Sequence, residues 1–235
     1  MRTLKILGFL LSYPSTAHKE VLEECKMFLH KEDWLSKKAI KDLEKLMQEI
    51  EDQDLLDLQE SYVELFDRTP SLSLHLFEHI HGDSRERGQA LVDLTKVYED
   101  AGLFMQNDET PDYLPLFLEY VSTLGADEIK DNMGSIVNIT SALGERLKNR
   151  GSNYTSIFMA LAETASRKAD PAAIEDAIKK SSGEAYSFEQ LDKEWEEQFA
   201  FENTSQTTGQ NDGCPKAKDM LARIEGYKEE ERVQK

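Results

Sequence analysis

Cysteine is scarce in this chain. The two cysteines, Cys25 and Cys214, stand far apart in the sequence. They do not form the closely spaced pairs of a zinc knuckle, and they do not provide the disulfide framework of a small secreted domain. We therefore expect the protein to work in a reducing compartment, the cytoplasm.

Basic residues are few compared with acidic ones. The chain has 28 lysines and arginines against 46 aspartates and glutamates, so its formal net charge is −18. A charge of this sign repels nucleic acid phosphates and the anionic cytoplasmic face of a membrane. We expect neither nucleic acid nor a membrane surface to be a direct partner.

Long apolar runs are also lacking. The N-terminal stretch "MRTLKILGFLLSYPS" has a charge followed by an apolar run, as a signal peptide does. The run is too short to span a membrane and has no small-residue cleavage site before the polar "AHKEVLEE". We predict that it forms the first core helix and that the protein does not insert into a membrane.

Alternating strand patterns are nearly absent, whereas helical periodicity runs along most of the chain. The apolar residues that recur at helical spacing are Val21, Cys25, Phe28 and Leu29; Ile40, Leu43, Met47 and Ile50; Leu91, Leu94, Tyr98, Ala101 and Met105; Ile129, Met133, Ile136, Leu143 and Leu147; and Tyr154, Phe158, Leu161 and Ala165. The sequence therefore predicts an all-α fold.

Helix starts and linker composition define the domain organisation. Ser36, Asp170 before Pro171, and the capping box "SFEQ" at residues 187–190 each indicate the start of a helix. No Gly/Ser/Pro-rich linker occurs before about residue 200, and "ENTSQTTGQNDG" then offers almost no apolar side chains. We predict one helical domain over residues 1–200 and a disordered or partly helical tail over residues 201–235.

Catalytic motifs are missing: neither a GxSxG elbow nor a Walker or Rossmann phosphate loop is present. His75 and His79 share one helix face at a spacing that can chelate zinc, but Glu78 precedes His79 and the order is not HExxH. A core-edge or hydrogen-bonded role is the more common one for such histidines. A helical metallohydrolase using these residues and distant acids remains the alternative.

The stretch "HIHGDSRERGQ" contains a helix stop followed at once by a helix start. The glycine suits a C-cap, and Asp83 stands three residues before Glu86, as in a capping box. The resulting corner would bring together at one helix end His79, His81, Asp83, Arg85 and Arg87. It is either a surface that holds a partner or a solvated corner whose charges satisfy the helix termini.

A second dense stretch is "NDETPDYLPLFLEYVSTL", residues 107–124. We expect a helix to begin near Pro115, with Asp112 and Tyr113 on the solvent-facing loop that leads into it. The predicted buried face of this helix consists of Leu114, Phe117, Val121 and Leu124. Stabilisation of the helix dipole is enough to explain Asp108, Glu109 and Asp112 at the helix start.

Three segments together resemble the NarJ family, the molybdenum cofactor assembly chaperones of respiratory nitrate reductase. They are "YVELFDR" at Tyr62 to Arg68, "SLHLFEHIHGDSRERGQALVDL" at Ser73 to Leu94, and "TPDYLPLFLEY" at Thr110 to Tyr120. Weaker similarity extends from "LLSYP" near the start to "LDKEWEE" at Leu191 to Glu197. The resemblance covers most of the predicted domain.

This resemblance implies a single-domain helical bundle of the TorD-like chaperone class, and a dedicated chaperone that is not an enzyme and has no cofactor of its own. Its partner would be the catalytic subunit of respiratory nitrate reductase. The chaperone would hold the N-terminal leader of that subunit until the molybdenum cofactor and iron–sulfur centres are inserted. A TorD-like chaperone for another molybdoenzyme, such as an N- or S-oxide reductase, is the alternative.

The resemblance also suggests where the leader would bind. The wider class has a Pro-x-Asp-His loop implicated in leader binding, and Pro111-Asp112-Tyr113 is its counterpart here. Asp112 carries over, whereas tyrosine replaces the histidine and does not titrate near neutral pH. We expect an apolar groove for an amphipathic helix, with acidic and polar edges. The candidate edge residues are Tyr62, Phe66, Asp67, His79, His81, Asp83, Arg85, Arg87, Asp112, Tyr113 and Glu119.

Overall fold

The computed structural model describes residues 1–81, 86–105 and 109–180. The helices in this part of the chain are α1 (Arg2–Leu11), α2 (Thr16–Glu20), α3 (Leu22–Lys31), α4 (Lys37–Asp52), α5 (Leu55–Tyr62), α6 (Leu76–His81), α7 (Glu86–Asp100), α8 (Leu114–Val121), α9 (Ala126–Asn149), α10 (Thr155–Glu163) and α11 (Pro171–Lys180). A π-helical turn, Val63–Asp67, extends α5, and a 3-10 turn covers Pro70–Leu72. Within the described ranges there is no β-strand, so the all-α prediction is confirmed.

The apolar stripes predicted for α4 and α9 form the centre of the core. All the stripe residues of these two helices are buried. The Ser36 hydroxyl accepts a hydrogen bond from the Ala39 amide at 3.2 Å and caps α4 as predicted. α9 packs against α10 and α11, and α10 also packs against α4, so these helices surround one continuous apolar interior.

α1 is the predicted first core helix, and it packs closely against α8. Gly8 makes the close approach possible. A Cβ atom at this position would lie 3.2 Å from the Pro115 carbonyl oxygen and 3.4 Å from the Leu118 Cβ. The absence of a side chain at Gly8 therefore brings the backbone of α1 directly against the start of α8.

Proline marks two helix starts as expected. α8 begins at Leu114 with Pro115 as its second residue, and Phe117 and Val121 are buried on its inner face. α11 begins at Pro171, and Asp170 Oδ1 accepts a hydrogen bond from the Ala172 amide at 3.0 Å. Both starts follow the preference for proline in the first helical turn.

α7 forms as predicted, but its apolar stripe is only partly covered. Tyr98 is buried, Leu91 and Leu94 are half-buried, and Val92 and Val97 on the same helix are exposed. The described part of the chain therefore leaves much of this helix facing solvent.

The remaining predictions about organisation fall outside the described residues. The domain boundary near residue 200, the capping box at 187–190 and the tail at 201–235 all lie beyond residue 180. The TorD-like likeness stays a prediction. Among the described helices, none is long and apolar enough to cross a membrane.

Candidate functional site

A short antiparallel pairing joins the two dense stretches of the sequence. The Leu114 amide donates to the Leu74 carbonyl at 2.8 Å, and the Leu76 amide donates to the Asp112 carbonyl at 3.0 Å. His75 and Tyr113 form the isolated bridge between them. The starts of α6 and α8 therefore meet, although they are far apart in the sequence.

Asp112 lies at the centre of this junction. Its side chain is completely buried. Oδ2 accepts a hydrogen bond from the Phe77 amide at 3.0 Å, and Oδ1 accepts one from the Thr110 hydroxyl at 2.5 Å. Because that hydroxyl proton points to Asp112, the Thr110 oxygen accepts from His75 Nδ1 at 3.0 Å. The three side chains form one continuous hydrogen-bonded network.

This hydrogen-bonded network determines the charge of Asp112 and His75. Burial alone would raise the pKa of Asp112, but its interactions with His75, Thr110 and the Phe77 amide outweigh burial and lower the pKa to about 2. The carboxylate of Asp112 in turn raises the pKa of His75, against the opposing effect of burial. The distance between His75 Nδ1 and Asp112 Oδ1 is 3.6 Å.

The expectation that Asp112 faces solvent on the rim of a groove is wrong. The first turn of α6 has free amide groups, and Asp112 reaches across the junction to accept from one of them at Phe77. This contact can form only if the carboxylate is turned inward. Asp112 therefore positions the neighbouring segments and is not a surface contact.

Beside this junction lies a cavity of about 190 Å³, called here the aromatic cavity. It is built from aromatic side chains, with two carboxylates and a histidine near them. The residues that line it are Tyr13, Tyr62, Phe66, Asp67, Leu74, His75, Glu109 and Tyr113. Four of the predicted candidates, Tyr62, Phe66, Asp67 and Tyr113, are brought together here.

Tyr62 anchors the inner wall of the aromatic cavity. It is buried, and its hydroxyl donates to the Leu11 carbonyl at 2.8 Å and lies 3.0 Å from the Tyr113 hydroxyl. Burial raises the pKa of Tyr62 far above the usual range, and burial also raises the pKa of Tyr113 to about 12. Both hydroxyls are therefore neutral at physiological pH.

The π-helical turn Val63–Asp67 presents the next part of the wall. The Arg68 amide donates to the Val63 carbonyl at 2.9 Å and closes the wide turn. The turn buries Phe66, whose ring lies 4.9 Å from that of Tyr62, and leaves Asp67 exposed on the rim. Such wide turns occur often at functional sites.

The rim of the aromatic cavity is negative. The pKa of Asp67 is raised because the surrounding wall partly removes water and because Glu109 lies nearby, while His75 opposes the shift. Within the described residues, the Asp67 carboxylate forms no hydrogen bond or ion pair. Glu109 Oε2 lies 3.9 Å from His75 Nε2. Among the described lining residues, the rim therefore carries two carboxylates against one histidine.

A second cavity of about 230 Å³, called here the apolar cavity, lies on the α7 side of α8. Its lining residues are Tyr98, Leu103, Phe104, Met105, Leu116, Glu119 and Tyr120. Phe104 is 73% exposed, and the Tyr98 hydroxyl donates to the Pro111 carbonyl at 2.7 Å. Glu119, another predicted candidate, lies here and is 3.9 Å from Lys5. Because Tyr113 and Leu116 are three residues apart, the two cavities adjoin the same first turn of α8.

Of the candidates on the predicted corner, His79, His81 and Arg87 do not line either cavity. His79 Nε2 donates to the Ser73 carbonyl at 2.8 Å, and burial lowers the pKa of His79, so this ring is neutral. The His81 ring meets Phe77 edge-on at 5.5 Å, and Arg87 pairs with Glu78 at 3.0 Å. Asp83 and Arg85, and with them the predicted capping box, lie outside the described residues.

The two histidines considered as metal ligands have different partners. His75 contacts Thr110 and Glu109, whereas His79 donates to Ser73. In the ranges that the structure describes, no group of three or more histidine, cysteine, aspartate or glutamate residues is arranged to hold a metal ion.

Tyr13, His75 and Glu109 line the aromatic cavity but were not among the predicted binding residues. Tyr13 comes from the end of α1, where the sequence suggested only the end of an apolar run. Glu109 had a sufficient explanation in the helix dipole, and His75 entered only as a metal ligand. Their common position depends on contacts between segments that are distant in the sequence.

Comparison with known proteins agrees with the resemblance found in the sequence. The chain is 37% identical over 200 residues to the probable nitrate reductase molybdenum cofactor assembly chaperone NarW of Escherichia coli, with 84% of this chain and 82% of that protein covered. It is 36% identical over 198 residues to the nitrate reductase molybdenum cofactor assembly chaperone NarJ of Escherichia coli, with 84% of each chain covered. The probable chaperone NarJ of Bacillus subtilis is 28% identical over 162 residues, 68% of this chain and 85% of that protein.

A family match covers the core of the described structure. Residues 29–160, more than half of the 235 residues, match the family described as nitrate reductase delta subunit. This range includes the junction at Asp112 and all the lining residues of both cavities except Tyr13. The chain therefore belongs to the nitrate reductase delta subunit family.

Proposed function

We propose that this chain is a dedicated assembly chaperone for respiratory nitrate reductase, and that it binds the N-terminal leader of the catalytic subunit until the molybdenum cofactor and iron–sulfur centres are inserted. The names of the Escherichia coli and Bacillus subtilis relatives support the first part of the proposal. The leader is the finer part, and it rests on the surface around α8.

The observation that carries leader binding is the pair of cavities at the first turn of α8. An amphipathic helix is held by apolar anchors in a groove, and polar groups at the edges set its orientation. The apolar cavity, with the exposed ring of Phe104, provides a place for such an anchor. The aromatic cavity, with Asp67 and Glu109 on its rim, provides the polar edge.

The chaperone acts by binding and not by catalysis. Asp112 is fully engaged with Phe77 and Thr110, and the hydroxyls of Tyr62 and Tyr113 are held neutral by their raised pKa values. None of these groups is poised as a general base at physiological pH. We place the protein in the cytoplasm, in line with its cysteine content and its acidic composition.

Isothermal titration with synthetic leader peptides tests this function. The peptides are the N-terminal segments of the nitrate reductase catalytic subunit and of an N-oxide reductase from the same organism. We expect the nitrate reductase leader to bind at least about tenfold more tightly, a difference that corresponds to about 1.4 kcal/mol. Equal or reversed affinities would favour the alternative partner, and no binding to either peptide would contradict leader recognition.

A further inference from the structure

The aromatic cavity has rings on several sides. The Tyr13 and Tyr62 rings are 5.6 Å apart and nearly perpendicular, at 88°. Phe66 lies 4.9 Å from Tyr62 at an angle of 54°. Tyr113 lines the cavity too, with its ring 5.4 Å from that of His75. A guest in this cavity would therefore meet aromatic surfaces of different orientation.

The charge at the mouth of the aromatic cavity is negative, with one histidine beside two carboxylates. Asp67 has no ionic or hydrogen-bonding partner within the described residues, and the Glu109 side chain is 45% exposed, with only His75 at 3.9 Å. Among the described residues that line the cavity there is no lysine or arginine. The mouth thus places two carboxylates and the His75 ring beside an aromatic interior.

The combination of aromatic faces and carboxylates favours a cationic guest. The face of an aromatic ring is negative and attracts a lysine or arginine side chain. Arginine fits this arrangement better than lysine, because its planar guanidinium can stack on a ring while its fixed N–H groups donate to carboxylates. A neutral apolar guest would leave the carboxylates unpaired, and an acidic guest would be repelled.

The volume of the cavity limits the guest to a single side chain. About 190 Å³ is too small for a helix, which with its side chains is roughly 10 Å across. The apolar cavity adjoins the same turn of α8 and can hold an apolar residue of the same ligand. The two cavities together suit a helix with a basic residue about one turn from an apolar anchor.

We infer that the aromatic cavity is a specificity pocket for one arginine side chain of the leader, held among Tyr13, Tyr62 and Tyr113 and paired with Asp67 and Glu109. This inference rests on the proposed function and specifies which leader residue is recognised. It assigns a binding role to Tyr13 and Glu109. The acidic residues that recognise the leader are then Asp67 and Glu109 on the rim, and not the buried Asp112.

The first test changes only the peptide. Each arginine of the synthetic nitrate reductase leader is replaced in turn by citrulline, which keeps the shape of the side chain and removes its charge. We expect one replacement to weaken binding about tenfold in isothermal titration, and the others to weaken it less than about twofold, since they lie outside the cavity. No change with any replacement would overturn the inference.

The second test changes the cavity. The double variant Asp67→Asn with Glu109→Gln should bind the unmodified leader about tenfold more weakly. In this variant the citrulline replacement that weakened binding to the parent should have no further effect, because a double-mutant cycle shows such non-additivity for groups in contact. Tyr13→Leu, which keeps an apolar side chain but removes the ring, should weaken binding severalfold. Both changes are at exposed positions, and circular dichroism checks that the fold is retained.

A matched control separates local contact from net charge. Glu24→Gln with Asp131→Asn changes the net charge by the same amount. Both positions are exposed, on α3 and α9, and neither lines the cavity. We expect leader affinity to remain within about twofold of the parent.

The outcomes distinguish the inference from the function on which it rests. If the leader binds the parent chain but the cavity variant binds it equally tightly, the arginine pocket is wrong and leader recognition stands. If the leader does not bind the parent chain at all, both are wrong. Equal losses in the cavity variant and the control variant would mean that net charge acts at long range, and would also overturn the pocket.

Discussion

At the scale of single residues, Asp112 links the two chain segments that meet at the candidate site. Its carboxylate accepts from the Phe77 amide at the start of α6 and from Thr110 just before α8. A buried acceptor with two donors cannot be removed without leaving those donors unpaired. The residue therefore supports both cavities indirectly, by holding the chain segments that carry His75 and Tyr113.

Asp112→Ala is expected to destabilise the fold strongly. Because two partly buried donors lose their charged acceptor, we expect the free energy of unfolding to fall by about 2–4 kcal/mol. Urea denaturation followed by circular dichroism measures this change. Asp112→Lys should be at least as damaging, since it adds an unpaired charge at a completely buried position. Retention of the parent stability in both variants would contradict the inward position of the carboxylate.

The same residue predicts how stability depends on pH. Asp112 has a folded-state pKa of about 2, below its ordinary value of 3.8. Its contribution is therefore fully present above pH 3.8 and is lost as the pH falls through the folded value near 2. Urea titrations between about pH 6 and about pH 2 should show a smaller acid loss for Asp112→Asn than for the parent. Parallel profiles would exclude Asp112 as a source of acid sensitivity.

His75 is expected to act in the opposite direction. Because its folded-state pKa is raised above the ordinary value of 6.5, its contribution is fully present below pH 6.5 and is lost as the pH rises through the folded value. His75→Gln should therefore cost more stability at about pH 5.5 than at about pH 8.5, as measured by urea denaturation. A cost that is the same at both pH values would mean that the charged form of His75 is not stabilised by Asp112.

At the scale of helices, the contact between α1 and α8 sets the position of the candidate site. α8 begins beside both cavities, and its first turn is held against α1 at Gly8. The end of α1 also supplies the Leu11 carbonyl to Tyr62 and leads to Tyr13 on the cavity wall. A shift between these two helices would change the shape of the aromatic cavity.

Gly8→Val tests this helix contact. The added side chain meets the Pro115 carbonyl oxygen, part of a backbone that cannot easily move, so we expect a loss of about 1–3 kcal/mol in the free energy of unfolding. Gly88→Val in α7 is the matched control. A Cβ there has no neighbour within 4 Å, and its effect should stay within about 0.5 kcal/mol. Equal effects would show that helix propensity and not the close approach decides the outcome.

At the scale of the whole molecule, the net charge of −18 affects how a basic peptide approaches. Charges of opposite sign mainly raise the association rate, and salt screens them, whereas buried apolar contacts are much less sensitive to salt. The apolar cavity and the exposed Phe104 ring predict that apolar burial provides most of the leader affinity.

Leader binding should therefore combine a negative heat-capacity change with modest sensitivity to salt. Titrations at several temperatures measure the first, and stopped-flow association at about 50 mM and about 300 mM salt measures the second. We expect the affinity to fall less than about tenfold, mainly through the association rate. A loss of more than about a hundredfold would mean that charge, and not apolar burial, holds the leader.

The amino-acid sequence by itself determined the all-α class, the caps at Ser36 and Asp170, the start of α8 near Pro115 and the family to which the chain belongs. These features depend on neighbours within one or two helical turns, or on a continuous motif, so periodicity and spacing are enough to reveal them. Only the tertiary structure decided that Asp112 turns inward. The same holds for the exposure of much of α7 and for the meeting of Tyr13, Tyr62 and Tyr113 around one cavity. These positions depend on a backbone pairing between residues 74–76 and 112–114 and on the approach of α1 to α8, and contacts across such long separations leave no periodic signal in the sequence.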